Sequence, residues 1–220
     1  MLVLKNNIIY VHIPKTGGRC VNNIFRKLDM IDGEYPFHSS VNDLSDEHVN
    51  YEKVATIRNP WEWYVSLWAF KKRKNRQFPK KGIKKRRYMD ANSDFPTYLK
   101  RMFDDEYTSQ FNNIVHLVGG KKIDLNEMKE QDIGAYTNVF KDQCYTDGKD
   151  NVTRYIKLEK FHTDFQKAFK LTDEQVKSID LSRRIGMSDH NHYKSYYTDE
   201  LVDLVNHKER LIIEKFDYSF

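Results

Sequence analysis

Cysteine is scarce in this chain, and long apolar runs are absent from its sequence. Two cysteines, Cys20 and Cys144, are too few for a disulfide framework, and no Cys/His spacing resembles a zinc site. No run approaches the roughly 18–20 apolar residues of a membrane span, and polar residues interrupt positions 1–7 too early for a signal-peptide core. We therefore expect a soluble, cytoplasmic protein without a membrane span.

Internal repeats and low-complexity linkers are also absent, and the bulk composition is that of a folded protein. The 220 residues are 39% hydrophobic and 31% charged, values that suit a globular enzyme rather than a disordered chain. A chain of this length supplies a substantial core, and one domain is the default for it. We predict a single domain over residues 1–220, with a basic loop or insertion at about residues 71–92.

Hydrophobic patterning predicts short apolar strands that alternate with helices. Such alternation indicates an α/β fold, with a mostly parallel sheet and helices on both faces. The predicted strands are 8–12, 54–57 and 155–158, and the predicted helices are 19–29, 60–73, 94–102, 125–131, 161–170, 172–179 and 198–215.

The first motif is a glycine loop between an apolar run and an amphipathic segment. Residues 11–18 read Val-His-Ile-Pro-Lys-Thr-Gly-Gly, and they follow the β-branched and aromatic run Ile8–Val11. A strand, a tight glycine loop and a helix start form a phosphate cradle, because the loop N–H groups and the helix dipole both attract anions. Lys15 adds a cation beside them. A plain Pro-Gly turn between a strand and a helix is the alternative interpretation.

A second junction of strand and helix carries an arginine. The apolar run Val54–Ile57 ends in Arg58-Asn59-Pro60, where Asn59 suits a helix N-cap and Pro60 suits the first helical position. Ligands of open α/β sheets lie at the carboxyl edge of the strands, where this arginine falls. Nucleotide hydrolases instead place a lysine after the last loop glycine and a hydroxyl on magnesium. Lys15 precedes the glycines here, so we predict two phosphate pockets and no metal.

Together the two motifs resemble the sulfotransferase family that uses 3′-phosphoadenosine 5′-phosphosulfate (PAPS). His12–Gly18 looks like the family's 5′-phosphosulfate loop, and Arg58–Ser66 looks like its 3′-phosphate motif, an Arg followed eight residues later by a Ser. The likeness is closer to the branch that contains carbohydrate sulfotransferases, and it extends more weakly to residues 155–169 and 193–220. It implies a P-loop-like three-layer sandwich and the transfer of a sulfuryl group to an acceptor hydroxyl, without a metal.

The resemblance also implies roles for individual residues. Lys15 would act catalytically at the bridging oxygen and the sulfuryl group. The loop would hold the 5′-phosphate, while Arg58 and Ser66 would hold the 3′-phosphate. The family's Thr-Ser after the glycines is replaced here by Arg19-Cys20, which exchanges a hydroxyl contact for a charged donor. The predicted cofactor-binding residues are Pro14, Lys15, Thr16, Gly17, Gly18, Arg19, Cys20, Arg58, Ser66, Arg183 and Arg184.

The acceptor side of the site is predicted from polar residues outside the two motifs. His38 lies between the motifs, where the resemblance to the carbohydrate branch implies a histidine, and the pKa of an imidazole suits proton removal near neutrality, so His38 is the predicted base. A capping or surface role for His38 is the alternative. The resemblance implies that Gln110 contacts the acceptor, and His190, beside the late basic loop, is a second predicted acceptor contact. The expected partner is a hydroxyl-bearing acceptor, with anionic glycans as candidates.

Positive charge is concentrated in residues 71–87, directly after the second motif. This segment holds eleven Lys and Arg and no acid, whereas the rest of the chain has 26 basic and 32 acidic residues, a balance of −6. Three interpretations remain open: a solvated loop, an electrostatic guide for an anionic acceptor, and a nucleic-acid contact. The position beside the cofactor motif favours the acceptor over nucleic acid.

Two other function classes remain open. A P-loop kinase or nucleotide hydrolase would need magnesium and an acidic metal ligand, and the sequence has no Asp after Ile57. A non-catalytic module would bind polyanions through the basic segment and would not need Lys15.

Overall fold

A mixed sheet organises the first of two compact units in this protein. The first unit comprises residues 1–58 and 140–187, and the second comprises residues 59–139 and 188–220. The prediction of a single domain stays a prediction. The computed structural model describes residues 1–77, 93–104, 117–118, 121–122, 125–180 and 189–220.

The strands in the described part of the chain belong to one five-stranded sheet and two small hairpins. They are β1 (Leu2–Leu4), β2 (Ile8–Val11), β3 (Ile31–Glu34), β4 (Glu52–Ile57), β5 (Leu117–Val118), β6 (Lys121–Lys122), β7 (Tyr145–Thr146), β8 (Lys149–Asp150) and β9 (Arg154–Lys157). The large sheet has the order β3-β1-β2-β4-β9, and β5–β6 and β7–β8 form the hairpins.

The large sheet is parallel in one half and antiparallel in the other. Strand β4 pairs in parallel with both β2 and β9, whereas β1 pairs antiparallel with β2 and β3. The α/β class is therefore confirmed, but the sheet is mixed where we expected a mostly parallel one. The cause is the tight turn at residues 5–7, since a connection this short joins only antiparallel strands. Asn7 closes the turn with φ 60° and an N–H bond to the Leu4 carbonyl at 3.0 Å.

The helices alternate with these strands in the first unit and dominate the second. They are α1 (Gly18–Lys27), α2 (Pro60–Gln77), α3 (Phe95–Phe103), α4 (Leu125–Glu130), α5 (Ala135–Cys144), α6 (Phe161–Phe169), α7 (Asp173–Lys177), α8 (Asp199–Lys208) and α9 (Arg210–Phe216). Among the described residues, no helix combines the length and the apolar character that crossing a membrane requires.

Helices α1 and α6 cover one face of the sheet. Val21, Ile24 and Phe25 recur at helical spacing along α1, and all three are buried. The ring of Phe25 packs on Phe165 and Phe169 of α6, with centroids 5.6 and 4.8 Å apart. This apolar layer fixes the start of α1 above the carboxyl end of β2.

Helix α2 begins as predicted but extends further than predicted. Asn59 caps it through its side-chain oxygen, which accepts the Glu62 N–H at 3.2 Å, and Pro60 is the first helical residue. The helix runs to Gln77, so residues 71–77 of the basic segment are helical and not a loop. Lys71 is buried, with its ammonium 5.3 Å from the ring centroid of Tyr98. The apolar stem of a lysine allows such packing.

The predicted last helix, 198–215, is wrong in one respect. It is broken at Glu209 into α8 and α9, and Glu209 adopts φ −106° and ψ 18° between them. The carboxyl group of Glu209 is fully buried in the second unit, where it accepts hydrogen bonds from the start of α5. Long-range bonding therefore interrupts a pattern that looks continuous in sequence.

Candidate functional site

The glycine loop connects β2 to α1, and its two glycines meet different steric requirements. Gly17 caps α1 with φ 90°, a left-handed conformation that side chains disfavour. Gly18 has ordinary backbone angles, but a Cβ on it would overlap the imidazole of His12. The Gly-Gly pair is therefore required by one turn and by one close contact.

Thr16 is anchored to the interior by a chain of buried hydroxyl groups. Its Oγ1 donates to the Ile13 carbonyl at 2.8 Å and lies 2.9 Å from the hydroxyl of Thr56, which lies 2.8 Å from the hydroxyl of Tyr10. Because the carbonyl only accepts, Thr56 must donate to Thr16, and Tyr10 must donate to Thr56. Burial raises the pKa of Tyr10, which keeps it a donor. The Thr16 side chain therefore anchors the loop to the buried residues of β2 and β4.

The structure brings Lys15 and Arg58 together. Strands β2 and β4 are parallel neighbours, so the residues that follow them lie at one edge of the sheet. The guanidinium Nη1 of Arg58 donates to the Lys15 carbonyl at 3.3 Å, and both residues are half-buried. Two cations predicted from separate motifs thus lie beside the same loop.

The start of α1 adds to the positive potential at this edge. Its first turn contains no acidic residue, and Arg19 is exposed there. A helix N-terminus carries a partial positive charge, which favours an anion. Pro14 is buried and Cys20 is half-buried in the same segment. The loop and the first turn form a site suited to phosphate or sulfate.

Lys157 is a further cation at this edge, and sequence reasoning missed it. It is the last residue of β9 and pairs in register with Ile57, the residue before Arg58. The next residue, Leu158, packs against Gly17, with its Cδ1 2.8 Å from the position of a Cβ there. The predicted strand at 155–158 ended one residue too late, which concealed that a lysine ends the strand.

His38 lies in a turn that orients its imidazole. Ser39 closes the turn by donating its N–H to the Pro36 carbonyl at 3.1 Å, and His38 has φ 65° within it. The ring is buried, and its Nδ1 lies 3.0 Å from the His12 carbonyl oxygen. Since that oxygen only accepts, Nδ1 carries the proton, and Nε2 is the basic nitrogen of the neutral ring.

The imidazole of His12 packs against the imidazole of His38. The two imidazole centroids are 4.5 Å apart, and burial, followed by the proximity of His38, holds the pKa of His12 well below its usual value. The His12 carbonyl also accepts the Gln143 side-chain N–H at 3.1 Å. Sequence reasoning gave no role to His12 or Gln143. For Gln143 the reason is that α5 was not predicted.

The remaining predicted residues lie in the second unit or outside the described residues. Ser66 is buried on α2 in the second unit, and its pairing with Arg58 stays a prediction. His190 is half-buried in the second unit, and its Nδ1 donates to the Asn191 carbonyl at 2.8 Å. Gln110, Arg183 and Arg184 lie outside the described residues, as does most of the basic segment.

No protein-family model and no curated protein matches this chain. The two motifs and the geometry at the edge of the sheet are therefore the features that indicate a function.

Proposed function

We propose that this protein is a sulfotransferase that moves a sulfuryl group from PAPS to an acceptor hydroxyl on a carbohydrate, in the cytoplasm. The observation that supports this best is the contact of the Arg58 guanidinium with the Lys15 carbonyl. A nucleotide with phosphates at both its 3′ and 5′ positions needs two cationic positions near each other. The proposal also includes a P-loop-like three-layer fold, which the β2–loop–α1 unit and the parallel β2–β4–β9 pairing support.

The residues at the sheet edge suit the sulfuryl donor PAPS, because they offer positive charge and hydrogen-bond donors to its phosphates. The backbone N–H groups of residues 16–18 and the Arg19 guanidinium would hold the 5′-phosphate. Arg58 and Ser66 would hold the 3′-phosphate, and Arg183 and Arg184 would add to it. Bound PAPS supplies the sulfuryl group and a phosphate leaving group.

Two side chains would act on the reacting atoms. His38 Nε2 takes the proton of the acceptor hydroxyl, whose oxygen forms a new bond to sulfur. The bond from sulfur to the bridging oxygen breaks, and its electron pair stays on the departing phosphate. Lys15 stabilises the negative charge that develops on that oxygen, an effect commonly worth about 3–4 kcal/mol in the transition state.

Calorimetry with the product 3′-phosphoadenosine 5′-phosphate (PAP) tests the donor site. We expect PAP to bind in the presence of a metal chelator, since no metal is part of the proposed site. Arg58→Ala should weaken binding by about 1.5–3 kcal/mol, the scale of a hydrogen bond to a charged group. The matched control is Arg154→Ala, which removes a guanidinium from the opposite end of β9, where Arg154 pairs with Glu52 at 2.7 Å.

The control should bind PAP with the affinity of the unmodified protein. Failure of PAP to bind, binding that requires magnesium, or equal effects of the two substitutions would contradict the proposal.

A further inference from the structure

Phe37 is an exposed aromatic residue beside the candidate base. The residue is 58% exposed, although phenylalanine is among the residues most often buried. Its ring stands nearly perpendicular to the imidazoles of His12 and His38, with centroid distances of 4.5 and 4.7 Å. Phe37 is therefore held in place by two rings while much of its own ring stays open to solvent.

The turn at residues 36–39 gives Phe37 and His38 different surroundings. Ser39 donates both its N–H and its hydroxyl to the Pro36 carbonyl, at 3.1 and 2.9 Å. His38 occupies the third turn position with φ 65°, where glycine is the usual residue. Phe37 is exposed and His38 is buried, and their ring centroids are 4.7 Å apart, so this turn places an exposed apolar ring next to the imidazole of the proposed base.

We propose that Phe37 is a specificity-determining residue that receives the apolar face of a sugar ring in the acceptor. This inference rests on the proposed function. One face of a pyranose presents C–H groups, and the negative face of an aromatic ring attracts them. A sugar ring on Phe37 would lie beside His38, the residue proposed to remove the proton of the acceptor hydroxyl.

The proposal assigns Phe37 to the acceptor rather than to the donor nucleotide. The base must lie within hydrogen-bond reach of the acceptor hydroxyl, and Phe37 packs directly on that base. Acceptor and donor measurements on the same variants separate these two roles.

The first experiment measures sulfation of four acceptors by the full chain. Three are tetrasaccharides, prepared from desulfated chondroitin, desulfated heparin and chitin. The fourth is 2-naphthol, which contains no sugar. For whichever tetrasaccharide is sulfated, Phe37→Ala should raise KM by about tenfold, the effect of losing one aromatic contact. It should change kcat little. Phe37→Trp should keep the low KM. The matched control is Val49→Ala, since Val49 is 48% exposed in the same unit and should have no effect.

The second experiment reads sugar binding without turnover. Phe37→Trp places an exposed tryptophan in the first unit, whereas the native Trp61, Trp63 and Trp68 are buried in the second. Its fluorescence should change on titration with the same tetrasaccharides, and the unmodified protein provides the background signal.

The outcomes distinguish this inference from the proposed function. Sulfation of 2-naphthol alone, an unchanged KM in Phe37→Ala, or weaker PAP binding by Phe37→Ala would overturn the role of Phe37 while sulfotransfer stands. Absence of PAP binding and of sulfotransfer would overturn the proposed function. In that case a saturable fluorescence change with a tetrasaccharide would still support a sugar subsite at Phe37, and no change would overturn it.

Discussion

Lys15 and His38, the two candidate catalytic residues, both have left-handed backbones. Most other non-glycine residues with positive φ in the described part of the chain are Asn or Asp, which tolerate this conformation best. The remaining one, Lys170, ends α6 in a left-handed cap, a common helix terminus. His38 occupies the third position of the turn at residues 36–39, where a positive φ is the rule, whereas Lys15 has no such explanation. Each costs on the order of 1–2 kcal/mol of backbone strain, which is typically retained where a side chain must be aimed.

Replacement of Lys15 by alanine tests its assignment to the transition state. The substitution keeps a Cβ on the left-handed backbone, so it removes the ammonium group without changing the strain. We expect kcat to fall by about 10²–10³-fold, the loss typical of one preorganised donor, while the affinity for PAP changes far less. Single-turnover sulfation and calorimetry on the same variant measure the two effects.

The control for this experiment is Lys27→Ala, which removes an exposed ammonium from the last turn of α1. It should leave both quantities unchanged. A Lys15→Ala variant that loses PAP affinity as strongly as it loses turnover would make Lys15 a ground-state binding residue instead.

Helix α5 is capped by a residue that is remote in sequence. The Glu209 carboxylate accepts the N–H groups of Tyr136 and Thr137 at 3.1 and 2.8 Å and the Thr137 hydroxyl at 2.6 Å. The hydroxyl of Tyr64 on α2 also donates to it. Gly134 leaves room for this group, because a Cβ there would overlap the carboxylate. One buried acid thus joins α2, α5 and the α8–α9 junction.

The pKa of Glu209 makes this junction sensitive to pH. Burial raises its pKa to about 7, against the lowering effect of its hydrogen bonds. Between the unfolded pKa near 4.5 and this value, the folded state binds the extra proton, so the free energy of unfolding falls as pH rises. A shift of this size corresponds to roughly 3 kcal/mol lost across that interval, and the profile should flatten above pH 7.

Urea unfolding followed by tryptophan fluorescence measures this effect, because all three tryptophans lie in the second unit. Glu209→Gln cannot titrate, so its free energy of unfolding should not decrease between pH 4.5 and pH 7. Glu214→Gln, at an exposed position of α9, should keep the slope of the unmodified protein. Equal slopes in all three proteins would show that Glu209 does not titrate in this range.

The same junction shows why some elements were predictable and others were not. The starts of α2 and α3 carry their own capping residues, Asn59 and Asp94, so local sequence suffices to predict them. Helix α5 lacks such a signal because Glu209, more than 70 residues away, satisfies its first N–H groups. Strand β3 was also missed, since only alternate residues of Ile31–Glu34 are half-buried and none is fully buried.

The candidate site likewise has parts that local sequence predicts and parts that it does not. The strand–loop–helix unit around Lys15 follows from local spacing, and so does the arginine after β4. The contacts of His12 with His38 and Gln143 join residues 26 and 131 positions apart, which no local pattern reports. The mixed sheet also depends on pairing that is remote in sequence, because β1 pairs antiparallel with β3, where Val3 lies opposite Gly33.

At the scale of the whole molecule, charge is divided unequally along the chain. The net charge is +5, yet the chain without residues 71–87 has a balance of −6. Lys71 and Lys72 pack on the rings of Tyr98 and Trp68, with ammonium-to-centroid distances of 5.3 and 4.5 Å, so these two lysines contribute to packing. The test of an electrostatic role should therefore leave residues 71–73 intact.

Replacing the eight Lys and Arg of residues 74–87 by Gln should weaken the binding of an anionic glycan acceptor. The acceptor KM at low ionic strength should rise, and the difference from the unmodified protein should shrink as salt increases, because exposed charges are screened within about 10 Å at 0.1 M. PAP affinity should stay constant, because Lys15, Arg19 and Arg58 remain.

A control of equal net charge decides whether position or total charge matters. It carries the same number of Lys→Gln replacements at exposed positions elsewhere, namely Lys5, Lys27, Lys129, Lys149, Lys160, Lys167, Lys170 and Lys177. A local electrostatic guide requires that only the first variant raises the acceptor KM. Equal increases in both variants would assign the effect to net charge. An unchanged KM in both would leave residues 74–87 without a part in acceptor binding, and the acceptor's specificity would then depend on groups such as Phe37 at the sheet edge.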